Sequence, residues 1–321
     1  MRIIIINLII FSLIILFAEI IIRTFKLSQL QGVDRNLLNL ESETVLNQRN
    51  TEAVIFGIKA YTDKYGFRIP SKDFKYKYSS SILVLGDSVS FGVGVDESKT
   101  FVGILRNKIN LNIYNASVAG HNIIDYSTLI KDYNQTFKDI SRVIVFICLN
   151  DVHFAKGVIK NAELGEKHNS EIFYIRILKK INIYLRNKSA LFVLLKSKFT
   201  KVEERHFDLL TDYYNDQNIL KKYKNTILEI HNFSKLKKIK VDYVLLPYSY
   251  QLKKNCNKEF LRPQKKINEI FSSLKINLFD LTNEFCQEKE KKLFLNYDPV
   301  HLSENGHQFV SNLLIEKLNN N

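Results

Sequence analysis

The sequence predicts an α/β domain in which a parallel sheet is covered by helices on both faces. Two observations carry that expectation. From Ser81 onward, short β-rich apolar runs alternate with longer amphipathic segments, the pattern of a parallel sheet whose crossovers are helices. Residues suited to chemistry also fall just after several of these runs, where open parallel sheets gather their functional groups.

The expected strands are Ile82 to Leu85, Asn112 to Asn115, Arg142 to Leu149, Val241 to Leu246 and Ile276 to Phe279. Helices are expected near Thr100 to Ile109, Ile123 to Phe137, Asn218 to Phe233 and Pro263 to Leu274, with a last one from Glu304 to Leu318. No internal repeat or low-complexity linker divides them, so residues 81–321 read as one domain. A stretch from about 155 to 215 breaks the rhythm, carrying Ile172 to Leu178 and Ala190 to Leu195 among basic residues. It reads as a helical insertion whose apolar face packs on the domain. The alternatives are a lid or a helix pair dipping into a membrane surface.

Residues 3 to 22 are almost unbroken hydrocarbon, long enough to cross a bilayer of about 30 Å as a helix. A cleaved signal peptide has a shorter apolar region and a small-x-small site, whereas the best candidate, Ala18, lies between Phe17 and Glu19. Residues 1–23 therefore read as an uncleaved transmembrane anchor, with Glu19 near one end of the span. Arg2 lies on one side and Arg23 and Lys26 on the other, so the positive-inside rule hardly orients it. Residues 24–80 are polar and weakly periodic, and read as a juxtamembrane connector with some packed structure.

With 321 residues and 45% hydrophobic content, the chain is long and apolar enough for a sizeable core, which excludes a disordered protein. Its net charge of +14 comes from Lys-rich stretches, among them Arg176, Lys179, Lys180, Arg186, Lys188, Lys196, Lys198 and Lys201. Solvated helix faces account for such charges; anionic lipid headgroups or acidic glycans are the functional alternative. There is no zinc-finger spacing, Walker loop or helix-turn-helix signature, so no nucleic-acid partner is expected. Cys148, in an apolar run, is expected to be a buried thiol. Cys256 and Cys286 either pair, if the body lies outside the cytoplasm, or are two unrelated thiols.

Four places put chemistry at strand ends or before the final helix. The first is Gly86-Asp87-Ser88, where a strand-to-helix turn presents a hydroxyl beside free backbone N–H groups. Ser88 there is a helix cap or a nucleophile. The second is Ala116-Ser-Val-Ala-Gly120-His121, in which Gly120 brings a backbone N–H close to a ligand without steric cost. The third is Cys148-Leu-Asn150-Asp151, and the last Asp298-Pro-Val-His301.

A serine hydroxyl is a poor nucleophile near neutral pH, so His301 would take its proton and return it to the leaving group. Asp298 would hold the imidazole in the right tautomer and stabilise its charged form. The Ser88 N–H, the Gly120 N–H and the Asn150 amide would form an oxyanion hole. Asp87 reads as a turn stabiliser, and His121 and His153 as surface or structural histidines. No role falls to His307, which is not at the i, i+4 spacing from His301 that a helical metal-ligand pair requires.

These blocks resemble the SGNH or GDSL hydrolases, named for the Ser, Gly, Asn and His of four ordered motifs. Ser88 in Gly-Asp-Ser matches the first, Gly120 the second, Asn150 the third and Asp298-x-x-His301 the last, over about residues 81 to 318. Cys148 stands where the third block usually has glycine, and the large insertion is atypical of small secreted members. Tyr65-Gly66-Phe67-Arg68 after an N-terminal apolar segment is similar to membrane-anchored bacterial members associated with the envelope.

The resemblance implies a flavodoxin-like three-layer α/β/α sandwich and a serine esterase or acylhydrolase without metal or cofactor. Its implied substrate is an ester-bearing small molecule, glycan or lipid, with an extracytoplasmic body held by a single-pass N-terminal anchor. An O-acyltransferase of envelope polysaccharide would use the same residues, with a sugar hydroxyl replacing water. A non-catalytic glycan-binding or assembly component is the reading from another class.

Overall fold

The computed structural model describes residues 2–40, 44–153, 173–288 and 292–319. Helix α1 (Arg2–Thr24) comes first and is long and apolar enough to cross a membrane by length and composition. Its apolar side chains stand exposed through Phe17, and near its end Ala18 and Ile21 are half-buried and Ile22 is buried. Two short strands follow, β1 (Leu38–Asn39) and β2 (Leu46–Asn47), paired antiparallel.

The remaining strands form one eight-stranded sheet. In chain order they are β3 (Glu52–Ile55), β4 (Ile58–Thr62), β5 (Arg68–Ile69), β6 (Ser81–Leu85), β7 (Asn112–Asn115), β8 (Ile140–Ile147), β9 (Lys240–Leu245) and β10 (Leu278–Asp280). Their spatial order is β10-β9-β8-β6-β7-β5-β4-β3. The first five run parallel, and β5, β4 and β3 add an antiparallel wing.

That wing lies in the segment read from sequence as a connector. Its strands are two to five residues long, too short to show a period, and β5 joins β7 through the single pair Arg68↔Asn115. The five parallel strands match those expected, with ends shifted by up to two residues. Every residue of β6 is buried, which explains its continuous apolar run: a strand covered on both faces has no solvent side to alternate with.

Helices connect the parallel strands: α2 (Ser88–Phe91), α3 (Phe101–Lys108) and α4 (Ile123–Thr136) before β8, then α5 (Phe173–Lys188), α6 (Ala190–Thr200), α7 (Val202–Thr211) and α8 (Gln217–Leu236) before β9. The C-terminal part adds α9 (Ser249–Lys253), α10 (Arg262–Leu274), α11 (Thr282–Gln287) and α12 (Glu304–Asn319). α3 packs on α12, whereas α4 packs on α8 and α8 on α10. With right-handed crossovers these two groups cover opposite faces of the sheet, giving the expected three layers. Of the expected insertion, residues 155–172 lie outside the described residues, and the rest is the helical run α5, α6 and α7.

Strand β6 has β7 on one side and β8 on the other, so chain direction across the sheet reverses at its carboxyl end. Such a switch point leaves a crevice where ligands bind. Ser88 begins three residues beyond Leu85 at this place.

Cys256 and Cys286 form a disulfide with Cα atoms 6.0 Å apart, while Cys148 is a buried free thiol. The bridge ties the loop after α9 to α11.

Candidate active site

The turn carrying Ser88 requires its neighbours. A Cβ at Gly86 would collide with the Ser90 side chain and crowd Phe146, so β6 can meet the following turn only with glycine there. Asp87 caps α2, its Oδ1 accepting the Val89 N–H at 2.8 Å. The helix stops at once because Gly92 takes the left-handed conformation (φ 86°) and returns its N–H to the Ser88 and Val89 carbonyls. Arg68, fully buried, holds this turn from outside. Its guanidinium donates to the carbonyls of Phe91, Gly92 and Val95, the last two at 2.7 and 2.6 Å. Burial pushes that group down to about 10, still charged at neutral pH.

His301 reaches Ser88 from far along the chain. Its Nε2 lies 2.9 Å from Ser88 Oγ and its Nδ1 2.8 Å from Asp298 Oδ2. The loop holding both is closed by Leu295 N–H to the His301 carbonyl and Ser303 N–H to the Leu293 carbonyl, each 2.9 Å. Asp298 Oδ1 accepts the N–H groups of Val300 and His301 at 2.9 and 2.8 Å. Phe56, at the tip of the β3–β4 hairpin, sets its ring edge-on to the imidazole with centroids 5.2 Å apart.

Electrostatics follow from this enclosure. Burial opposes the charged form of His301, but the Asp298 charge and its hydrogen bond outweigh it, and the imidazole pKa is raised. Burial likewise opposes ionisation of Asp298, yet His301 and the backbone donors hold its carboxyl below the usual range. Both shifts favour a charged pair.

The side-chain amide of Asn150 donates to Asp87 Oδ2 at 3.1 Å, which fixes it beside the residue preceding Ser88. Its other amide hydrogen has no partner in that bond. Tyr248, just after β9, orients the group: its hydroxyl donates to Asn150 Oδ1 at 2.6 Å and accepts the Asn150 N–H at 3.1 Å. Cys148 sits in ordinary extended backbone (φ −105°, ψ 160°), a conformation that does not need glycine, and its thiol donates to Asp87 Oδ1 at 3.4 Å.

Gly120 lies exposed on the loop after β7 with φ 81°, a conformation that favours glycine. The loop is stitched to the serine turn by Val118 N–H to the Gly86 carbonyl at 3.1 Å. Among the described residues, neither the Ser88 N–H nor the Gly120 N–H donates to another protein group. Ser88, His301 and Asp298 are thus directly bonded, Asn150 joins them through Asp87, and Gly120 is on the adjoining loop.

Three other histidines are occupied elsewhere. His307 Nδ1 accepts the Phe101 N–H, and burial pushes that ring down to about 3. His121 bonds the Val45 carbonyl, and His153 packs against Tyr213. Among the described residues no cluster of His, Cys, Asp and Glu is arranged to hold a metal.

Four participants escaped the sequence reading. Tyr248 follows a strand, the one available signal, but tyrosine there has no distinctive pattern. Arg68 stands out in the sequence only as part of Tyr65-Gly66-Phe67-Arg68. His206 on α7 stacks against Tyr248 with ring centroids 5.7 Å apart. Arg186 on α5 donates to Gln31 Oε1 at 3.0 Å, and Gln31 Nε2 donates to the Tyr297 carbonyl at 3.2 Å. The insertion therefore borders the site.

No protein-family model matches the chain. No curated protein matches it either. Solved structures do. A member of the lipolytic G-D-S-L family from Veillonella parvula has 13% identity and a TM-score of 0.42, covering 74% of this chain and 97% of its own. A lipase/acylhydrolase from Enterococcus faecalis has 13% identity and a TM-score of 0.43, covering 74% and 95%. A catalytic mutant of an acetylxylan esterase from Geobacillus stearothermophilus has 14% identity and a TM-score of 0.41, covering 76% and 95%. These are similarities, and the reading of the site rests on its own geometry.

Proposed function

We propose that the chain is a membrane-anchored serine esterase that removes an acyl group, acetyl among the candidates, from an envelope carbohydrate or lipid through an acyl-Ser88 intermediate. One observation carries this reading: a single imidazole, His301, bonds Ser88 Oγ through Nε2 and Asp298 Oδ2 through Nδ1. In that arrangement His301 accepts the hydroxyl proton as Oγ attacks the ester carbonyl. The Ser88 and Gly120 N–H groups and the Asn150 amide would receive the oxyanion. Collapse of the tetrahedral intermediate expels the alcohol, which takes the proton from His301. Water then enters, gives its proton to His301 and attacks the acyl carbonyl; the proton returns to Ser88 Oγ as the acid leaves.

Two features support the location. Helix α1 has the length and apolarity of a span, and the Cys256–Cys286 bridge suits an oxidising compartment outside the cytoplasm. The test is labelling of the purified full chain by a fluorophosphonate, followed by hydrolysis of acetylated saccharides, short-chain esters and phospholipids. Wild-type protein should label and Ser88→Ala should not. Undiminished ester hydrolysis by Ser88→Ala would overturn the mechanism.

A further inference from the structure

Helix α1 does more than precede the domain: its single acidic side chain caps another helix. Glu19 Oε1 accepts the Ala190 N–H at 2.8 Å, and its Oε2 accepts the Leu191 N–H at 2.9 Å and the Ser189 hydroxyl at 2.8 Å. These are donors at the start of α6 that have no intrahelical acceptor. Arg23, one turn on, pairs with Glu19 at 2.6 Å and donates to the Lys188 carbonyl at the end of α5, 2.7 Å away. The junction between α5 and α6 is therefore bolted to the last turns of the apolar helix. Glu19 is also the residue that spoils a signal-peptidase site, and removal of α1 would leave the donors at the start of α6 without this acceptor.

Among the described residues, helix α5 carries an exposed apolar stripe. Tyr174, Ile177, Leu178, Ile181 and Tyr184 follow one another at helical i, i+3, i+4, i+7 and i+10 spacing, and they are 57, 59 and 63% exposed at Tyr174, Leu178 and Tyr184. No side chain described in α5 is fully buried. From Phe173 to Lys201 the chain has eight Lys and Arg residues and no acidic one. That composition suits one occupant. A second copy would bring like charge against like, whereas an anionic bilayer surface accepts apolar side chains between its headgroups and pairs with the flanking cations.

We propose that α5 lies in the interfacial layer of an anionic bilayer with this stripe turned into the lipid, beside α1, which crosses it. The proposal rests on the reading of α1 as a membrane span. It deepens the functional reading, because the bonds from Arg186 to Gln31 and from Gln31 to Tyr297 join the end of α5 to the residue before Asp298. The catalytic loop is thus braced against the membrane-facing elements, and its substrates are esters carried at that surface.

The full chain in vesicles tests this. Cys148 is buried and the other two cysteines are paired, so a single introduced thiol takes an environment-sensitive fluorophore. Labels go at Ile177→Cys and Ile181→Cys on α5, at Ile10→Cys on α1, and at exposed Leu228→Cys on α8 as the reference. The vesicles are phosphatidylcholine alone or mixed with phosphatidylglycerol, each with and without nitroxide-bearing lipid. An interfacial helix buries its apolar face about 5–10 Å deep. Positions 177 and 181 should therefore shift to the blue and be quenched by nitroxide, more strongly with phosphatidylglycerol, while position 228 stays unquenched. Combined Arg176→Glu and Lys180→Glu substitutions should weaken the phosphatidylglycerol dependence.

Quenching at 10 without quenching at 177 or 181 would overturn the α5 proposal and leave the span intact. Loss of quenching at 10 as well would overturn the span. Shielding of 177 by chain-to-chain crosslinking, with no nitroxide effect, would assign the face to a second copy and overturn the proposal. No arm depends on activity, so failure of the esterase reading would show separately.

Discussion

Asp298 divides its carboxylate between two tasks: Oδ2 holds His301 Nδ1 at 2.8 Å, while Oδ1 accepts the backbone N–H groups of Val300 and His301. The first bond sets the imidazole's tautomer and charge; the second fixes the turn that presents it. Only Pro299 and Val300 separate the two residues, so one local turn holds the pair that meets Ser88.

Asp298→Asn separates charge from geometry, because the amide can keep the turn but cannot stabilise an imidazolium. On the proposed mechanism activity needs neutral His301 to accept the serine proton, and its pKa in the wild-type protein is raised above 6.5. Wild-type kcat/KM should accordingly rise with pH through a midpoint above 6.5. In Asp298→Asn that midpoint should move down, and kcat should fall by a factor on the order of 10⁴, as tautomer control is lost in such triads. A pH profile of ester hydrolysis checks both, and an unmoved acid limb would remove the electrostatic role of Asp298.

The same pair makes stability depend on pH. His301, with its folded pKa raised, contributes stability that is fully present below its unfolded value and is lost as pH rises through the folded one. Asp298, with its pKa depressed, contributes stability present above its unfolded value and lost as pH falls through the folded one. The difference in unfolding free energy between wild type and Asp298→Asn should therefore peak between the two folded pKa values and shrink on either side. Urea titrations across that range measure it; a flat difference would mean that the pair is not charged in the folded protein.

Tyr248→Phe should weaken catalysis without touching the triad. The hydroxyl serves both Asn150 Oδ1 and the Asn150 N–H, so its removal frees the amide to turn away from the oxyanion position. An order-of-magnitude loss of kcat is expected with KM little changed, below the roughly 10²–10³ of losing an oxyanion donor outright. Stability should drop by about 1–3 kcal/mol, the cost of buried groups left without partners. Steady-state kinetics and chemical denaturation report these separately, and a fluorophosphonate should still label Ser88.

Legibility from sequence tracked how local each arrangement is. Ser88 stands just beyond the apolar run Ile82–Leu85, and Asp298 and His301 share one turn, so short motifs announce them. Tyr248 acts on a residue 98 positions away, and Arg68 acts on backbone carbonyls 23 to 27 positions away. Carbonyls carry no side-chain identity, so no pairing of residue types reveals that contact. Strands β6 and β8 are readable because burial on both faces makes Ile82–Leu85 and Val143–Ile147 continuously apolar. In β3 the burial alternates over only four residues, which no window separates from a loop.

Arg68→Met should expose how much the serine turn depends on that guanidinium. The methionine fills much of the volume but leaves the carbonyls of Phe91, Gly92 and Val95 without their shared donor. Hydrogen bonds to a charged group contribute about 1.5–3 kcal/mol each, so a loss of roughly 3 kcal/mol or more is expected from several lost together. Thermal and urea unfolding measure the loss. Labelling of Ser88 should slow in the fraction that remains folded, because α2 then keeps Asp87, Gly92 and the Asn115 amide on the Ser90 carbonyl but loses its charged anchor; unchanged labelling would make Arg68 a core residue alone.

Reduction of the Cys256–Cys286 bridge offers a test that is independent of the active site. The cysteines are 30 positions apart, and closing a loop of that length in the unfolded chain is worth about 3–4 kcal/mol on the chain-entropy account. Cys256→Ser with Cys286→Ser should lower unfolding stability by that order and leave the Ser88–His301 bond intact, since the bridge joins α11 to the loop after α9. Denaturation with and without reductant should give matching losses for the reduced wild type and the double variant. Equal stability in all samples would show that the unfolded chain gains little freedom when the bridge is opened.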